Sequence, residues 1–230
     1  SFDRVINQGT INADTSGKTI NVYSATNQGN LQATAGTLNI AGSWSNSGTL
    51  GVSGTGMLNL GGTFTTADIG TLNHTGGTVN LTGTLDNTNA TVALTAATGS
   101  LTLAGGTIKG GTITASDGSS LLSGSGTLDG VTLNTYVTVV NAATLTVQNG
   151  LTLNSVLTLA GGNNNTYLSF MGTQTLSGTG QMVFGGTNSS NYVFAVGNNS
   201  STPATLTIGS GITIHGSQGG TISGNYSFDR

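Results

Sequence analysis

The chain has no cysteine and no glutamate, one proline (Pro203), one tryptophan (Trp44), and only 4 Lys plus Arg against 7 Asp in 230 residues. Each shortage excludes something. Without Cys there is no disulfide framework and no thiolate metal site, so the fold does not need an oxidising compartment. At 5% charged residues the composition lies far from that of an ordinary cytosolic domain, which is about a quarter charged. The formal charge of -3 provides no basic surface, so nucleic acid is not an expected partner. No apolar run reaches the roughly 18 residues of a membrane span, and no membrane insertion of this segment is expected. Glycine is plentiful, 39 residues, but does not recur at every third position, which excludes collagen.

What is present is a lattice of Thr, Ser, Asn and Gly around short apolar beats. Apolar residues make up 35% of the chain, and the Pro, Glu and Lys that typify disorder are scarce. "NQGTIN" (7–12) and "NQGNLQ" (27–32) lie 20 residues apart, and comparable starts follow at Gly48, Gly70, Ala90, Gly111, Gly130, Gly150 and Gly172, 19 to 22 residues apart. Within each period, beats such as "GTLNIAG" and "GTGMLNLGG" alternate polar and branched apolar residues. Period two places the apolar set on one face of a strand. Strands of about four residues cannot stand alone, but stacking them from turn to turn buries a continuous column. The expected fold is therefore all-β, a parallel β-helix (solenoid) of roughly eleven turns. Gly is expected at corners that need positive φ, and Asn at corners where amides stack in ladders. Residues 1–160 read as a regular helix of strands. Residues 161–230 read as looser turns with loops at 161–166, 187–191 and 197–202.

Candidates for chemistry are few. Asp68 with Asp86, and Asp117 with Asp129, are spaced so that each pair can meet on adjacent turns, as glycoside hydrolysis requires. Asp86 and Asp129 sit in "GTLDN" and "GTLDG", which read first as turns. Lyase chemistry would need Lys18 or Lys109 beside carboxylates. His74 and His215 have no companion ligands in sequence and read as outward-facing strand positions. Trp44 reads first as a packing residue and second as a ring for stacking on sugar. Tyr167 and Tyr192, beside polar loops, are candidate surface contacts for a ligand. No cofactor or metal is expected, and no catalysis.

The runs "NQGTINADTSGKTINV" (7–22), "NQGNLQATAGTLNIAG" (27–42), "NSGTLGVSGTGMLNLGGTF" (46–64) and "LTVQNGLTLNSVLTLAGG" (145–162) resemble the passenger regions of secreted bacterial surface proteins, the autotransporter and filamentous-haemagglutinin-like adhesins. The resemblance covers nearly the whole chain and lies in composition and rhythm. It implies a right-handed parallel β-helix, an extracellular place on the bacterial surface, and a role as stalk or fibre segment. It identifies an architecture and no ligand; host or matrix glycans or a surface protein are the expected partners beside neighbouring copies, and a carbohydrate-binding or polysaccharide-degrading β-helix is the alternative function.

The tetrapeptide "SFDR" occupies both residues 1–4 and 227–230. It marks the expected joint between neighbouring copies, end to end, in a longer array or in a filament of separate chains, and the chain is expected to be an excerpt of an exported protein. Phe2, Asp3, Arg4, Phe228, Asp229 and Arg230 are the expected contact residues, with Asp and Arg paired across turns and a Phe plugging the core.

Overall fold

A computed structural model describes residues 3–197 and 202–225. About 61% of the chain is strand and 2% helix, coiled into a parallel β-solenoid of about 9 turns. All strand pairings are parallel, between one turn and the next, and three faces result. The first face begins with Val5–Asn7, Ala25–Asn27 and Ser45–Asn46. It passes across a Trp44–Phe64 ring contact into Thr63–Thr65, and ends at Thr166–Met171, Asn191–Val196 and Thr221–Gly224. The second runs from Thr10–Ala13 to Leu206–Ile208, and the third from Thr19–Tyr23 to Thr213–Gly216.

The alternation in the sequence becomes columns in space. On the third face Ile20, Leu38, Leu58, Val79, Leu101, Leu121, Val137, Leu157, Met182 and Ile214 follow one another in register. The interior members of that column are buried. Each buried aliphatic contributes roughly 1.5–3 kcal/mol, which a lone short strand could not gather. The neighbouring column carries one exception: Ser123 stands between Leu103 and Val139, fully buried, with its Oγ unpaired.

Corner amides tie the turns together. Asn7 Nδ2 donates to Asn27 Oδ1 and Asn27 Nδ2 to Asn46 Oδ1, both at 2.7 Å, and Asn46 Nδ2 donates to the Ile69 carbonyl. An outward ladder runs in parallel, Asn80 to Asn59 to Asn39 to Asn21. The glycine of the "NQG" motif answers to space rather than to positive φ. A Cβ on Gly29 would collide with the Gly9 carbonyl, and one on Gly48 with the Gly29 carbonyl.

Two departures from the expected regularity shape the rod. Equivalent positions lie 20 residues apart at Asn7–Asn27 but 32 apart at Thr173–Thr205, so later turns consume more chain. The coil has about 9 turns where the sequence spacing suggests roughly eleven. The second departure is a break in the ladder. A short helix, Thr66–Ile69, capped by Thr65 and Asp68, replaces the Asn corner. Beyond it the second face loses its strand pairing between Thr71–Gly76 and Thr91–Leu94, keeping a bond from His74 N–H to the Ala97 carbonyl. A cavity of about 140 Å³ opens there, lined by Phe64, Ile69, Leu72, Leu85, Val92 and Leu94 among others.

Candidate functional site

The two end faces of the described ladder expose what the middle buries. At the first turn Val5 is 49% exposed although its register partner Ala25 is buried, and Ile11 and Ile20 are only half-buried. At the last turn Ile222 is 48% exposed while its partner Val193 is fully buried, and Ile208 and Ile214 are half-buried. Each face of the first turn therefore has an open counterpart at the other end: Val5–Asn7 with Thr221–Gly224, Thr10–Ala13 with Leu206–Ile208, and Thr19–Tyr23 with Thr213–Gly216. Of the residues expected at the joint, Asp3 and Arg4 are exposed, and Arg4 Nη1 donates to Thr26 Oγ1 at 3.2 Å. Phe2, Phe228, Asp229 and Arg230 lie outside the described residues.

A second feature lies on the outside of the first face. Tyr167 and Tyr192 are ladder partners with stacked rings, centroids 5.3 Å apart. Phe194 completes a triangle at 5.9 Å from Tyr167 and 5.8 Å from Tyr192. All three are part-exposed, and the Tyr167 hydroxyl accepts from Asn165 Nδ2 at 2.7 Å. Phe194 was open to detection in the sequence. In "NYVFAV" it shares parity with Tyr192, opposite to the inward Val193 and Ala195.

Trp44 does not belong to this surface, which corrects its place among the candidate ligand contacts. Its ring is 5% exposed, packs 4.5 Å from Phe64, and donates from Nε1 to the Gly61 carbonyl at 2.8 Å. An aromatic at a corner fills the interior because an indole N–H can still reach a backbone acceptor there.

The charged candidates are arranged differently from the sequence pairing. Asp68 caps the short helix, receiving the Thr65 backbone N–H. Asp117 sits at a positive-φ turn. Asp86, Lys109 and Asp129 form one outward column, register partners on successive turns, a juxtaposition that spacing alone did not single out. The Thr88 side chain, then its backbone N–H, and to a smaller extent Lys109 hold the Asp86 carboxyl below the usual carboxylate range. His74 corrects the outward expectation. Its register partner Val52 is buried, and its half-buried ring packs under Gly99, with Nε2 3.3 Å from the Gly77 carbonyl. His215 is exposed, its Nε2 2.9 Å from Gln181 Oε1. Among the described residues no three His, Cys, Asp or Glu cluster as metal ligands, and no helix is long and apolar enough to cross a membrane.

Comparison of the chain with protein-family models, curated proteins and solved structures yields no match.

Proposed function

We propose that the chain is a structural rod segment of a secreted bacterial cell-surface adhesin, joined head to tail to neighbouring copies through its two end faces. The observation that carries this reading is the matched pair of open ends. Half-buried isoleucines and unpaired strand edges stand at both, with the same three faces represented. Unpaired parallel edges act as templates for another strand, and burying the isoleucines rewards the match. A contact between two different faces of like chains does not close on itself, so it propagates. The recurrence of "SFDR" at residues 1–4 and 227–230, the neutral Thr, Ser and Asn surface, and the adhesin-like rhythm of 7–64 agree with a surface rod.

Gly9 offers a test that spares the fold. A Cβ on it meets nothing within 4 Å, yet the same position one turn later, Gly29, abuts the carbonyl of the preceding turn. Gly9→Ala should therefore block the first-turn face, and Ile222→Asp the last-turn face. In sedimentation the unmodified chain is expected to grow with concentration and each variant to remain monomeric. A mixture of the two variants should stop at dimers, since each retains one working face. Monomers of the unmodified chain at every concentration, or variants that polymerise like it, would overturn the reading.

A further inference from the structure

The aromatic triangle interrupts a regular surface. In register along the first face the outward column reads Thr63, Thr84, Thr107, Thr127, Thr146, Ser169, then Phe194, then Ser223. Seven of these eight positions carry a hydroxyl, which suits an exposed sheet. The Tyr167–Tyr192 stack can be explained as a ladder pair that stabilises adjacent strands. Phe194 cannot, because its ladder neighbours are Ser169 and Ser223. A part-exposed phenylalanine there forgoes the hydroxyl that solvent favours, and adds a third ring to an apolar ridge.

The chemistry around the ridge narrows what can cover it. From Gly130 to Phe228 the chain has no Asp, Glu, Lys or Arg. The ridge therefore lies in a field of neutral donors and acceptors. Exposed Asn163 and Asn164 flank it, with Asn165 bonded to the Tyr167 hydroxyl, and Ser169 and Ser223 stand beside Phe194. An anionic or cationic partner would find no counter-charge in these turns. A neutral sugar fits both halves of the surface. The C–H face of a pyranose covers ring carbons, and its hydroxyls exchange hydrogen bonds with amides and hydroxyls at the rim.

We propose that Tyr167, Tyr192 and Phe194 form a binding site for neutral glycan chains on the side of the rod. The site faces sideways, away from the end faces, so it stands or falls independently of head-to-tail joining. The test titrates the full chain with maltohexaose, cellohexaose and chitohexaose, and with sialyllactose and a heparin hexasaccharide as charged competitors, followed by amide NMR shifts and calorimetry. At least one neutral hexasaccharide should bind saturably, with shifts centred on 163–169 and 191–196. Tyr192→Ala and Phe194→Ala should each weaken it about 10-fold or more with unchanged circular dichroism. Tyr136→Ala, which removes a ring 65% exposed elsewhere on the rod, should have no effect. Absence of saturable binding by all three neutral sugars, a preference for the charged ones, or binding indifferent to the ring variants would each overturn the assignment.

Discussion

Asn27 is bonded on both sides, receiving the Asn7 amide and donating to Asn46, and it is 1% exposed. Truncating it removes its own bonds and strands buried groups above and below, each at roughly 1–3 kcal/mol. Asn27→Ala is therefore expected to lower unfolding stability by about 2–4 kcal/mol in denaturant titration. Asn39→Ala, in the outward ladder where water replaces the lost partner, should cost under about 1 kcal/mol. Equal losses would show that the two ladders are not distinguished by burial. Ser123 offers the opposite sign. Its hydroxyl is buried without a partner in an aliphatic column, and such a group costs roughly 1–3 kcal/mol. Ser123→Ala is expected to raise stability by about 1 kcal/mol; a clear loss would mean that the hydroxyl has a partner. The Asn corners were legible in the repeated "NQG", because neighbouring copies of one motif at one period must stack. Ser123 was not, because "LLSGSG" offers leucines of both parities and register alone decides that Leu121 and Ser123, not Leu122, point inward.

At the scale of elements, period and parity in the sequence predicted the parallel strands and their inward columns. The exceptions come from insertions. "TTADIG" places a four-residue helix at a corner, and the second face, still paired from Thr49–Gly54 to Thr71–Gly76, then loses its ladder between Thr71–Gly76 and Thr91–Leu94. His74 shares parity with Leu72, two residues before it, so the inward register was legible locally against the outward expectation, and pairing with the buried Val52 fixes it. The interrupted pairing and the adjacent cavity make this the loosest joint in the rod's interior, since protection tracks local contact and hydrogen bonding. Amides on the facing edges of Thr71–Gly76 and Thr91–Leu94 are expected to exchange with deuterium well before those of Leu121–Ser123 and Val137–Val139. Uniform protection along the interior would show that the break is energetically silent.

For the whole molecule, the head-to-tail joining proposed above would carry the ladder from its described ends into a like chain. About 9 turns at ~4.8 Å each give a unit of ~45 Å. A rod of this kind owes its stiffness to columns and ladders repeated along the axis, which leave side-facing groups such as the ring triangle outside the stacking. Electron microscopy of the purified chain across a concentration series, beside Gly9→Ala, tests the claim most directly. The account predicts filaments of the unmodified chain that lengthen in steps of ~45 Å as concentration rises, and short rods of one unit length for Gly9→Ala at every concentration. Rods of one unit length in both samples, at all concentrations, would contradict it.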